Sequence, residues 1–184
     1  PRPGPIPSAA LAAGVAGHDD EATFGDLLAA RDVLYDFPAS GWLFRVDPED
    51  RGVGEGWYEA SLPAAGWQAI EIRRFWEEQG WDYDGAAWYR TGFVLPAGAR
   101  GSGLELVVGA ADESASVWLN GDLLGNFDRG ERGWDQRFAF DLTGRVLADR
   151  ENQLTLRVLD RTGPGGLWKG IKILSLPAAA PAER

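Results

Sequence analysis

From Trp42 onward, apolar and polar residues alternate in short runs, and most runs stop at a turn residue. WLFRVD (42–47) ends at Asp47-Pro48, WQAIEI (67–72) alternates again, and AAWYRTGFVLP (86–96) closes at Pro96. A period of two is the mark of a strand with one face on a core. LELVV (104–108) reads as a buried strand. SASVWLNG (114–121) runs into Asn120-Gly121, the strongest short hairpin signal, with DLLGNF (122–127) on its far side. RFAFDLT (137–143), QLTLRVLD (153–160) and GIKILSLP (170–177) bring the total to eight or nine short strands. Short strands at short spacing, with turn residues between them, predict an all-β antiparallel sandwich. No long amphipathic helix separates them, so no βαβ unit is expected.

The pattern is different ahead of Trp42. Residues Pro1 to about Asp20 are rich in Pro, Gly and Ala and read as a poorly ordered extension. FGDLLAARDVL (24–34) has apolar residues near helical spacing and predicts a short helix. The expected division is an extension over 1–40, the sandwich over 41–178 and a tail over 179–184. The apolar centre of PRPGPIPSAALAAGVAG is too weak for a signal peptide. The chain is expected to be a piece of a larger bacterial protein, secreted or periplasmic.

Composition narrows the partners. The net charge is −10, the wrong sign for phosphate backbones or anionic membrane surfaces, so neither nucleic acid nor membrane is an expected partner. There is no Cys, hence no disulfide framework and no thiolate metal site. The only His, His18, lies in the extension, which removes Ser-His-Asp chemistry and His-based zinc sites. Nine Trp against four Tyr and eight Phe point either to a Trp-packed sandwich or to an aromatic binding surface.

The densest stretch is WDYDGAAWYR (81–90). Trp88 alternates inward with its strand and reads as core. Trp81 and Tyr83 sit in the preceding loop, where rings serve either as ligand platforms or as packing anchors. A pyranose offers an apolar C–H face to a ring and an equator of hydroxyls to polar groups. Asp84 before Gly85 is a turn former as well as a hydroxyl acceptor. Asp82 and Asp84 carry oxygens of the kind Ca2+ takes. That ion needs six to eight oxygens, however, and no dense Asp/Asn loop supplies them, so no metal or other cofactor is predicted. Asp112 and Glu113 are adjacent in a loop and expected to point apart, a poor catalytic pair. They read as a sugar-hydroxyl contact or a solvated loop. Trp134, in the polar loop GERGWDQRF, is a candidate for exposure or for capping the sandwich end. Trp168 and Lys169 follow the TGPGG turn, with Lys169 able to donate to a sugar or a uronate.

The ordered series WLFRVDPEDRGVGEGWY, FWEEQGWDYDGAAWYRTGFVLP, LELVVGAADESASVWLNGDLLGNF, FAFDLT, ENQLTLRVLD and GGLWKGIKI resembles the N-terminal sugar-binding domain of glycoside hydrolase family 2 enzymes. This is the β-galactosidase and β-glucuronidase group. The resemblance spans roughly Gly41 to Pro177 and implies a jelly-roll sandwich of the galactose-binding type. It also implies that the catalytic Glu pair belongs to a separate (β/α)8 barrel, for which no room exists after Pro177. Asp112 falls where some members place an Asn or Asp that reaches the barrel-bound sugar. Gly166 falls where some place an acidic residue before the Trp, so that second contact is missing here.

The resulting expectation is a non-catalytic carbohydrate-binding domain, an accessory module of a glycoside- or polysaccharide-degrading protein. Its site residues are Trp81, Tyr83, Asp84, Asp112, Glu113, Trp134, Trp168 and Lys169. The alternative is a structural module that packs against a catalytic domain or partner subunit and binds no free glycan.

Overall fold

The computed structural model describes residues 31–96 and 103–175. Ten strands appear in chain order: β1 (Val33–Asp36), β2 (Trp42–Val46), β3 (Gln68–Ile70), β4 (Gly85–Val94), β5 (Leu104–Val108), β6 (Ser114–Leu119), β7 (Asp122–Asp128), β8 (Phe138–Asp141), β9 (Glu151–Asp160) and β10 (Ile171–Ser175). They form a four-stranded sheet ordered β1-β10-β5-β8 and a six-stranded sheet ordered β3-β2-β4-β9-β6-β7. Every pairing between named strands is antiparallel. The Asn120-Gly121 hairpin is present, with both residues at positive φ (54° and 91°), as a tight primed turn requires.

The core lies between the two sheets and follows the alternation. In β4, Ala87, Tyr89 and Phe93 enter it, and Val117 and Leu119 of β6 and Leu154, Leu156 and Val158 of β9 meet Leu106, Phe138, Phe140, Ile171 and Ile173 from the other sheet.

Two expectations are corrected here. The helix over 24–34 is not formed at its described end: Val33 and Leu34 belong to β1, which pairs with β10. Residues 24–30 lie outside the described residues. The sandwich therefore takes in residues ahead of Gly41. The second correction concerns Trp88. It is fully buried, but it faces away from the core that holds its neighbours Ala87 and Tyr89. It joins Trp57 and Trp118 in a separate cluster on the outer face of the six-stranded sheet. Residues 48–67, acidic and Gly-rich at their start, fold back over that face. Val53, Tyr58, Leu62 and Trp67 cover the cluster, the Arg45 guanidinium sits 3.6 Å from the Trp57 ring centre, and that of Arg90 lies 4.6 Å from Trp67. Most of the Trp excess is thus packing on both sides of one sheet.

Candidate functional site

Strand register brings three connections to the same end of the sandwich. Gly85 pairs with Asp160, and Ser114 with both Leu159 and Asp128. In the other sheet Val108 pairs with Ile171 and Phe138. The segments 109–113, 129–137 and 161–170 therefore leave from neighbouring strand ends. Segment 71–84 crosses beside them, tied by backbone bonds from Arg73 N to Leu167 O (2.7 Å) and from Trp76 N to Gly165 O (3.0 Å).

Beneath these connections lies a cluster of acids. A carboxylate oxygen from each of Asp112, Glu113 and Asp160 lies within 4.8 Å of the others, and the three residues are only 3%, 2% and 1% exposed. Asp112 and Glu113 do not point apart, and their loop is not solvated. Glu113 takes a positive φ of 33°, which turns its side chain toward the same interior as Asp112. Its Oε2 then accepts from Arg161, both from the backbone N–H (2.9 Å) and from the guanidinium (3.2 Å). Asp112 Oδ2, both oxygens of Asp160, the Trp76 Nε1–H and the Tyr89 hydroxyl are buried and make no hydrogen bond of ordinary geometry, though the Thr162 backbone N–H lies close to Asp160 and the Leu167 backbone close to Tyr89. These groups border the Gly165-Gly166 elbow. A β-carbon on Gly165 would come within 2.3 Å of the Trp76 ring and 2.5 Å of Asp160 Oδ2, and one on Gly166 would lie 2.9 Å from the Tyr89 hydroxyl. Asp112 N donates to Gly166 O at 3.1 Å. Burial, above all, pushes Asp112 up to about 8, with the Asp160 charge adding to it. Burial also raises Asp160, to about 6.

The same connections and the crossing segment carry a stack of rings. Trp168 stacks between Phe75 (ring centres 5.5 Å apart) and Trp134 (5.4 Å), and its Nε1–H donates to Trp134 O at 2.8 Å. Lys169 Nζ lies 4.5 Å from the Trp168 ring centre and pairs with Asp135. Trp134 is 49% exposed; the other exposed large apolar side chains among the described residues, Val33, Val94 and Leu147, are aliphatic.

The remaining predicted residues fall nearby, with different surroundings. Trp81 is half-buried, its ring 5.1 Å from Phe44. Tyr83 is half-buried, 6.1 Å from Trp76, and its hydroxyl donates to Ala86 O at 3.2 Å. Both fill the side of the core. Asp84 is exposed, yet close enough for its charge to bear on Asp160. The reading of the sequence missed Asp160, Tyr89 and Trp76. The one available signal was an Asp closing the long alternating run QLTLRVLD, which looks like an ordinary strand end.

A β-galactosidase domain profile, the second all-beta domain, matches residues 53–164. The chain belongs to that family. It is an accessory domain of the glycoside hydrolase family 2 kind, as the resemblance implied. A curated β-glucuronidase from Paenibacillus borealis is 29% identical over 128 residues, 64% of this chain and 20% of the relative. Structures of a Ruminococcus gnavus β-glucuronidase share the fold. The complex with D-glucuronic acid superposes with a TM-score of 0.70 at 19% identity, over 81% of this chain and 30% of that one. The apo structure gives 0.69 at 18%, over 79% and 29%. The chain thus spans about a fifth of the curated relative's length and under a third of the structural ones.

Proposed function

We propose that this domain is a non-catalytic carbohydrate-binding module of a glycoside-degrading protein, with its site at the Trp134 end of the sandwich. The observation that carries this reading is the Phe75–Trp168–Trp134 stack, which holds a half-exposed indole at a loop end. A ring already stacked from behind loses little further freedom when a sugar's C–H face covers it. Lys169, over the Trp168 ring and paired with Asp135, stands beside the stack as a polar contact. Asp112 and Glu113 are buried and act only as supports. Trp81 and Tyr83 hold the loop before β4 against the core. The absence of catalysis is inferred from the acids. The closest carboxyls are buried against each other, whereas glycoside hydrolysis needs two that flank a bond in an open cleft. The same half-exposed indole would also suit a docking face toward a catalytic domain, so the two readings must be separated by experiment.

Retention on gels carrying a panel of soluble polysaccharides makes that separation. Trp134→Ala is expected to weaken retention about fivefold or more, since one stacked ring is worth about 1 kcal/mol beyond its area. Trp81→Ala is expected to lower stability by about 2 kcal/mol and to leave retention by the folded protein unchanged. Failure to be retained on any polysaccharide would favour the docking reading.

A further inference from the structure

We propose that Asp112 and Asp160 share a single proton that locks the 161–170 connection onto the end of the sandwich. A carboxylate oxygen of Asp112 lies within 4.8 Å of one of Asp160, and both side chains are buried to 97% or more. Three of their four oxygens make no hydrogen bond of ordinary geometry, the Thr162 backbone N–H beside Asp160 eases its charge only in part, and two ionised carboxylates this close repel strongly in a medium of low dielectric. A proton between them turns that repulsion into a hydrogen bond.

The charges around the pair do not offer another solution. Glu113, on the same connection as Asp112, adds negative charge, as do Glu77 on the crossing segment and Asp84 ahead of β4. Arg161, beside Asp160, is directed to Glu113 and Asp128 instead. Lys169 is taken by Asp135, and Arg73 by Asp36. The Tyr89 hydroxyl is held neutral, its ionisation pushed far up by burial. The lock joins Asp112, which donates its backbone N–H to Gly166 O, to Asp160, against which Gly165 is wedged.

The consequence is a stability that declines with alkalinity. The folded state keeps a proton that the unfolded chain releases near pH 4, so the contribution is complete below that value. It is lost as pH rises toward the folded-state value of about 8. Across that window the folding equilibrium constant should fall about tenfold per pH unit relative to a protein without the shared proton. Denaturant unfolding of the domain from about pH 5 to about pH 8 tests this against Asp112→Asn, whose amide donates to Asp160 without needing a proton. The variant is expected to lose that slope, and equal slopes in both proteins would overturn the proposal. Carboxyl 13C NMR of the unmodified protein gives a reading that needs no variant. One of the two groups should remain protonated at about pH 6, and ionisation of both near pH 4 would overturn the lock. Ca2+ or Mg2+ that stabilised the protein and erased the slope would also overturn it, in favour of a bound cation.

Discussion

Trp88→Ala is expected to destabilise the domain by about 4 kcal/mol, the range for removing a fully buried large aromatic, as read by denaturant unfolding. The indole is fully buried and stacks on Trp118 at 5.2 Å and edge-on to Trp57 at 5.9 Å. Its Nε1–H donates to Asp47 Oδ2 at 2.9 Å. That carboxylate also accepts from the backbone N–H groups of Arg51 and Gly52, each at 2.8 Å, so it anchors the start of the covering segment. Gly52 lies so close that a β-carbon there would fall 2.5 Å from the indole nitrogen. Losing the ring therefore opens a cavity and frees the cover over the outer face at the same time. A loss under about 1 kcal/mol would show that residues 48–67 contribute little to holding the sheet.

Gly165→Ala is expected to lower stability by about 3 kcal/mol and to impair binding by the fraction that still folds. The added methyl would meet the Trp76 ring at 2.3 Å and Asp160 Oδ2 at 2.5 Å, both belonging to residues sealed in the interior. It can be housed only by moving the connection, which breaks the bonds from Gly165 N to the Glu77 carboxylate (3.1 Å to each oxygen). It also shifts Trp168, three residues on, and with it the support under Trp134. Gly54→Ala is the control, because its nearest neighbour is the Arg51 carbonyl oxygen at an ordinary 3.5 Å. Unfolding curves for the two variants that coincide would contradict the close packing around the elbow.

The strands could be read from the chain because alternation reports directly which face of a sheet is buried. Alternation does not reveal the order of the strands in the two sheets; resemblance implied only that the sandwich is a jelly roll. VLYD (33–36) does not read as a strand because four residues are too few to display a period of two, and the preceding Phe24, Leu27 and Leu28 supply a helical spacing. The outward burial of Trp88 was hidden for a related reason. Alternation separates two faces but does not say that a non-periodic segment such as 48–67 will cover the second one. At the site, Trp134 could be picked out by its polar, Gly-flanked setting. The acids could not be placed, because burial of Asp112, Glu113 and Asp160 is a product of strand register and of three connections closing over them. Nothing local to AADES or to VLD distinguishes a sealed carboxyl from a solvated one.

On the proposed function, Trp134, on its Trp168 support, is the surface that meets a sugar. The indole N–H signals of the nine Trp in a 1H–15N spectrum, recorded while a bound oligosaccharide is titrated in, test it most directly. Trp134 and Trp168 should shift progressively, while Trp42, Trp76 and Trp88 stay in place. An unmoved Trp134 during saturable binding, with shifts at Trp57 and Trp67 instead, would contradict the account.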